Sequence, residues 1–497
     1  MKPYENIRLD KDSTFHLYIQ LYEKIREYIL DEQIKEKEKL PPMRQLAELL
    51  SVNVVTVVKA YEMLEKEGYI YKKIGSGTFV TPRIGQEASD IASEKYPLDE
   101  DLRLMDRGQI QIKDHMYSFA SATPTPDLFP VGDFQDLLNE VLNRDKGNAF
   151  GYQESQGYYA LRESLVTYMK EYNIDTKTEN IQIISGAQQG IDVIAKAFVN
   201  HGDVVILEKP TYSGAIATFK SRGAILVDVP METDGIHISL LEESIKTHKP
   251  KVIYLMPNFQ NPTGYSYSNE KKQKILTMAE KYNVLVIEDD YLSDLSFYDN
   301  NNTTLKSLDK KDLIIYIKSF SKIFMPGLRL GFLVLPTRAY HRILAAKHAS
   351  DISTSGLIQR AFDLYLRKGI WKKHIHYMEC IYRERFDIMK NVIEKYILPL
   401  GVQCQLPQGG LNFWLCLNEG YSSNQLYSRA AKKNVLLAPG SLFFTSENDS
   451  CCFRLSIAAI YPEEIEPAIL ILADVIQEYM GKGIERKNQN DSYSPLL

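Results

Sequence analysis

Lys322 stands in the stretch SFSKIFMPGLRLG, Ser319 to Gly331, between an apolar run and a Pro-Gly turn. A lone lysine is most often a solvated surface charge. One that captures an aldehyde as a Schiff base needs a partly desolvated pocket that favours its neutral amine. Groups able to complete such a pocket recur along the chain. SGAQQG (185–190) follows the run IQII and opens a helical stretch, so the backbone amides of Ala187 and Gln188 can hold a phosphate. Ser319, Ser321 and Arg329 flank Lys322 and add two hydroxyls and a fixed cation. EKPTYSG offers Tyr212 as a ring to lie over an aromatic ligand, and NPTG (261–264) presents the Asn261 amide to a phenolic oxygen. VIEDDY brings Asp289, Asp290 and Tyr291, and a carboxylate there can keep a pyridine nitrogen protonated, making its ring an electron sink.

These groups need a scaffold, and the chain from Tyr117 to about residue 480 supplies one. DVVILEKP, AILVDVP, KVIYLMP, VLVIEDD, LIIYIKSFS and LGFLVLP are short β-branched runs, with amphipathic stretches long enough for crossover helices between the first four. The pattern predicts an α/β domain: a mostly parallel sheet with helices on both faces. The chemical groups fall at the C-terminal ends of the strands, where such sheets place ligands. At 497 residues the chain holds more than one domain, and its hydrophobic content of 44% supports a sizeable core. The five cysteines show neither a CxxC pair nor metal spacing and read as small buried hydrophobes in a reducing cytosol. His374 and His376 read as solvated or capping residues, and no metal site is indicated. The N-terminus lacks the apolar core of a signal peptide, no apolar run reaches membrane-spanning length, and a cytoplasmic location is expected.

Ahead of this domain lies a second texture. YIQLYEKIREYIL places Leu21, Tyr22, Ile25, Tyr28 and Ile29 on one helical face. LPPMRQLAELL starts a second helix after a proline pair, and NVVTVVKAYEMLEKEGYI a third, with Asn53 as its N-cap. YIYKKIGSGTFV reads as two strands about a Gly-Ser-Gly turn. Three helices and a hairpin in this order make a winged helix-turn-helix over 1–82, whose third helix enters the major groove of double-stranded DNA. The chain's net charge of −5 gives no global attraction to nucleic acid, and residues 1–82 carry thirteen basic and thirteen acidic side chains. Contact therefore falls to placed residues: Arg44, Asn53, Val54, Thr56 and Lys59, with Lys72, Lys73 and Ser76 on the wing. Residues 83–116 read as a polar linker and 481–497 as a disordered tail.

The front module resembles the GntR family in LPPMR, TVVKAYEMLEKEGYI and GSGTFV, although Asn53-Val54-Val55-Thr56 stands where that family has Ser-Arg-x-Thr. Residues 117–480 resemble the fold-type I, pyridoxal 5'-phosphate-dependent aminotransferases (class I/II), most specifically in NPTG and SxSK…PGLRLG. That resemblance implies that Lys322 carries the cofactor as a Schiff base and that Asp289 faces its pyridine nitrogen, with Asp290 as an alternative. It implies that Asn261 and Tyr291 bond the phenolic oxygen, that Tyr212 stacks, and that Ala187, Gln188, Ser319, Ser321 and Arg329 take the phosphate. In CFRLSIA it assigns Arg454 to a substrate or effector carboxylate, and in FGYQESQGYYALR it assigns Tyr152 to a neighbouring subunit's phosphate site. It also implies a small C-terminal α+β subdomain from about residue 396. The whole arrangement is similar to the MocR/GabR regulators, which implies a homodimer, a DNA operator, and an effector that is an amine, an amino acid or pyridoxal phosphate itself. A working aminotransferase would use the same residues, and the sequence leaves turnover open.

Overall fold

The computed structural model describes residues 116–295, 303–446 and 449–481, and in the N-terminal part 4, 7, 9, 16–30, 33–35, 38–66, 69–73 and 77–81. The linker expected over 83–115 and the tail expected from 482 lie outside the described residues. The chain divides into two compact units, Met1–Asp99 and Glu100–Leu497.

In the first unit, α1 (Leu17–Leu30), α2 (Met43–Leu49) and α3 (Val54–Lys66) precede the antiparallel hairpin of β1 (Ile70–Lys73) and β2 (Gly77–Val80). Leu21, Tyr22, Ile25 and Ile29 of α1 are buried against Leu46 and Ala47 of α2 and Val57, Ala60, Tyr61 and Leu64 of α3. The 3.6-residue spacing of these apolar side chains is what allows three short helices to share one core. Tyr61 Oη donates to the Pro41 carbonyl at 2.9 Å, tying α3 to the turn that starts α2.

The second unit is built on an eight-stranded sheet in the order β4-β11-β10-β9-β8-β5-β6-β7. Here β4 is Ile181–Ile184, β5 Val204–Lys209, β6 Ile225–Glu232, β7 Gly235–Ile236, β8 Val252–Leu255, β9 Leu285–Asp290, β10 Ile314–Ser319 and β11 Gly331–Val334; a short β3, Tyr117–Ser118, precedes them. The run β10-β9-β8-β5-β6 is parallel, while β11 is antiparallel to both β10 and β4. The central strands are buried throughout except for half-buried Leu285 at the start of β9, as helices on both faces require. A smaller four-stranded sheet follows, in the order β12 (Gln403–Cys404), β13 (Asn412–Cys416), β16 (Cys452–Ser456), β15 (Ala438–Pro439). Between them, β14 (Val435–Leu436) pairs in parallel with β3, so the start of the domain is stitched to its end.

One expectation is corrected here. Cys416 and Cys452 form a disulfide rather than remaining two free thiols. They are 36 residues apart in sequence, yet face each other across β13 and β16, a proximity that spacing along the chain does not reveal.

Candidate cofactor site and DNA-facing module

The C-terminal ends of β4, β5, β8, β9 and β10 converge on one cavity of about 300 Å³. Lys322, Asp289, Asn261, Tyr291, Tyr212, Ala187, Gln188, Ser319, Ser321, Arg329 and Arg454 all line it. All but Arg454, which stands on β16 of the smaller sheet, come from the strand ends and the connections that leave the same edge of the large sheet.

At one end, β4 passes through Ser185 and Gly186 into the helix Ala187–Phe198, whose first two residues, Ala187 and Gln188, line the cavity. Gly186 adopts φ +87, and a Cβ there would come within 2.6 Å of Arg329 Nη2, so only glycine lets the guanidinium approach this turn. Arg329 donates to the Ser185 carbonyl at 2.8 Å, and Ser319 Oγ accepts from the Ser321 amide at 3.3 Å. Gln188 is fixed by donating to Thr218 Oγ1 at 2.7 Å, and its Oε1 accepts from Tyr212 Oη at 3.3 Å, which sets the Tyr212 ring.

At the floor, Tyr254 Oη donates to Asp289 Oδ2 at 2.6 Å, leaving Oδ1 buried without a hydrogen-bond partner. Burial raises the Asp289 carboxyl to about 7 despite that bond. Burial and then the positive fields of Arg454 and Arg329 lower the Lys322 amine to about 8. Its loop is braced from behind. His374, expected to be solvated or capping, is instead buried in the helix Ile370–Val392 and donates Nε2–H to the Ile323 carbonyl at 3.0 Å. Tyr382 Oη bonds the Lys322 carbonyl itself at 3.4 Å. His376, two residues on, turns the other way and is exposed.

At the far end, Arg454 of β16 donates Nη1 to Asn261 Oδ1 at 2.9 Å and Nη2 to the Ala120 carbonyl at 2.5 Å. Its Nε is buried without a partner, no carboxylate pairs with it among the described residues, and burial lowers the guanidinium to about 10. Tyr291 Oη donates to the Phe259 carbonyl at 2.6 Å and accepts from Asn412 at 3.1 Å. Asp290 turns away from the cavity, onto Lys318 and Tyr316. Tyr152 lies outside the cavity and is 83% exposed.

In the first unit, Asn53 Oδ1 accepts from the Val55 amide at 2.9 Å at the start of α3. Val54, Val55 and Lys59 are exposed and Thr56 half-buried, while Val57 belongs to the core. Arg44 is exposed on α2, and Lys72 and Lys73 stand on β1 opposite Thr78 and Gly77. Ser76 lies outside the described residues.

The family model for class I and II aminotransferases matches residues 128–472. The chain belongs to this aminotransferase family. Residues 17–80 match the model for bacterial regulatory proteins of the gntR family. Aromatic-amino-acid aminotransferase 1 of Thermococcus litoralis is 30% identical over 427 residues, 85% of this chain and 98% of that protein. The HTH-type transcriptional regulator NorG of Staphylococcus aureus is 28% identical over 439 residues, 87% of this chain and 98% of that one. Among solved structures, kynurenine aminotransferase of Pyrococcus horikoshii, in complex with PMP, is 30% identical with a TM-score of 0.72, over 80% of this chain and 98% of that one. A GntR helix-turn-helix domain is thus joined to an aminotransferase domain, the MocR-type arrangement, and pyridoxal 5'-phosphate is its cofactor.

The cavity of this aminotransferase-family domain fits that group. Asp289 Oδ1, orphaned and buried, is an acceptor awaiting a protonated ring nitrogen. The first helix residues Ala187 and Gln188, two serines and Arg329 line the same cavity and are donors suited to an anion, and Lys322 is an amine shifted towards neutrality. Three groups in this arrangement escaped the motif reading: Tyr254, His374 and Asn412. Tyr254 carried a signal, a hydroxyl on the same alternating face of β8 as Asp289 on β9, but using it requires knowing that the two strands are neighbours.

Proposed function

We propose that the protein is a DNA-binding transcriptional regulator that senses pyridoxal phosphate or an amino compound at Lys322. The observation that carries this reading is the union, in one chain, of a gntR-family helix-turn-helix with an aminotransferase-family cavity lined by Lys322, Asp289, Arg329 and Arg454. When bound, pyridoxal phosphate supplies an aldehyde that condenses with amines. Lys322 is the amine that holds it, Ala187, Gln188, Ser319, Ser321 and Arg329 grip its phosphate, and Asp289 retains a proton at the ring nitrogen. Asn261 and Tyr291 face the phenolic oxygen and Tyr212 covers the ring. Arg454, a buried cation with no carboxylate partner among the described residues, would take the carboxylate of a competing amine that exchanges for Lys322 and returns it as its free amine. The reading assigns operator contact in the cytoplasm to a winged helix over 1–82, through Arg44, Asn53, Val54, Thr56, Lys59, Lys72, Lys73 and Ser76, the last of which lies outside the described residues.

A homodimer is part of this reading. Phe150, Tyr152, Tyr159 and Ile352 are exposed along the segment 150–159 and the loop that Ser155 Oγ bonds at the Ile352 carbonyl. An exposed aromatic stretch supports burial against a second copy, with Tyr152 reaching the other copy's phosphate cradle.

The test is DNA affinity, measured by fluorescence anisotropy on the region upstream of the protein's own gene, with and without pyridoxal phosphate and amino acids. A ligand coupled to the winged helix shifts that affinity by about 5- to 150-fold. Affinity indifferent to both ligands sinks the reading. A transaminase reading is favoured by the completeness of the site and by the aminotransferase relatives. Conversion of an amino acid to its keto acid at metabolic rates, together with ligand-indifferent DNA binding, would select it.

A further inference from the structure

We propose that the amino compound recognised beside Lys322 is a neutral α-amino acid with an apolar or aromatic side chain. This rests on the reading above, in which a competing amine places its carboxylate on Arg454.

The surroundings of Arg454 decide the class. Its partner across β15 is Ala438, its Nη2 is fixed on the Ala120 carbonyl, and its guanidinium carbon sits 5.2 Å from the centre of the Phe443 ring. From these two segments Ala120, Ala122, Leu437, Ala438, Leu442 and Phe443 line the cavity with hydrocarbon, as does Pro439, while Ser121 and Thr123 add two hydroxyls but no charge. Ser121 Oγ accepts from the Thr123 amide at 3.2 Å, and neither hydroxyl carries a charge that could pair with a charged side chain.

Charge is equally restricted. Among the described residues, the charged side chains lining the cavity are Lys322, Asp289, Arg329 and Arg454. Arg329 lies with Ser185 and Gly186 at the phosphate end, Asp289 lies on the floor with Tyr254, and Lys322 is the amine in exchange. Arg454 serves the α-carboxylate. Within this chain's own described lining no cation remains for a second carboxylate and no carboxylate for a side-chain ammonium, so a charged side chain would find no partner on these walls. An apolar one gains by leaving water, and the three alanines leave it room.

The test uses the full-length chain loaded with pyridoxal phosphate and reads its visible absorption. L-leucine, L-phenylalanine, L-aspartate, L-glutamate and L-lysine are titrated at one pH, with Lys322→Ala as the control that identifies the lysine-dependent band. Half-saturation by leucine and phenylalanine at concentrations at least about tenfold below the charged three is expected. Leu442→Arg, which places a cation in the apolar wall, is expected to reverse the order in favour of aspartate and glutamate. Charged amino acids binding as tightly as leucine and phenylalanine overturn the inference, and so does a lysine-dependent band that no amino acid shifts. Absence of any lysine-dependent band overturns the underlying reading of the site as well. Should Leu442→Arg fail to fold, the panel on the unaltered chain decides alone.

Discussion

Two buried regions separated by a single strand turn treat the same residue types in opposite ways. Lys318, at the end of β10, and Lys322, in the loop beyond it, are four positions apart; Asp290 and Asp289 are adjacent on β9. On one side Lys318 lies opposite Asp290 in register, bonded to it at 3.2 Å and to Asp294 at 2.5 Å, and Tyr172 Oη donates to Asp294 at 2.7 Å. Burial works against the Lys318 ammonium, but the two carboxylates hold it well above the ordinary lysine range. Burial likewise acts to raise Asp290, yet Lys318 and the Tyr316 hydroxyl bring it below the usual carboxylate value. On the cavity side Lys322 has two cations for company and falls to about 8, and Asp289 has only a tyrosine and rises to about 7. A charge pair sealed by its partners builds structure; the same groups left unpaired in a cavity are reactive.

The sharpest way to break this contrast is Lys322→Ala, which removes the only unpaired amine of the pair. Complete loss of the pyridoxal phosphate Schiff-base absorption is expected, with an unchanged melting profile without ligand. A retained band would place the amine elsewhere. Lys318→Ala should do the reverse: it strands two buried carboxylates and costs about 3–5 kcal/mol of stability, seen as a lowered denaturation midpoint, while folded protein keeps the band. Asp289→Asn exchanges an ionisable acceptor for a neutral amide and should weaken pyridoxal phosphate binding by about 1.5–3 kcal/mol, measured by equilibrium titration. Tyr254→Phe removes one bond to Asp289 and should cost about 1 kcal/mol of the same affinity. That bond lowers the Asp289 carboxyl, so its loss should also move the pH midpoint of binding upward.

The smallest effect is one of pH on rate. Only the neutral amine captures an aldehyde, so capture by Lys322 should rise as pH increases through about 8. An ordinary lysine near 10.5 would be about 0.3% neutral there, so a rise displaced to pH 10 would contradict the cavity's influence.

Much of this is legible in the sequence. VVILEK, VIYL, LVIEDD and IIYIKS became β5, β8, β9 and β10 because each opens on three or four consecutive apolar side chains, the mark of strands covered on both faces. Groups named from NPTG, EDDY, SFSK and SGAQQG meet in one cavity because strand ends in such sheets share an edge. Less was readable where a property depends on partners distant in the chain. The Cys416–Cys452 disulfide, the bond from His374 to the Ile323 carbonyl and the Tyr254–Asp289 contact each join segments that no local pattern connects.

The sequence by itself determined the order of the elements, the winged-helix module ahead of an α/β domain, and which residue types stand at the strand ends. It did so because helix and strand periodicities and turn chemistry are local. Only the tertiary structure decided which of two aspartates faces the cavity, which of two lysines keeps its charge, and that Arg454 ends without an anion. Those outcomes depend on register and burial across β8, β9, β10 and β16, and a charge's protonation follows its neighbours in space, not in sequence.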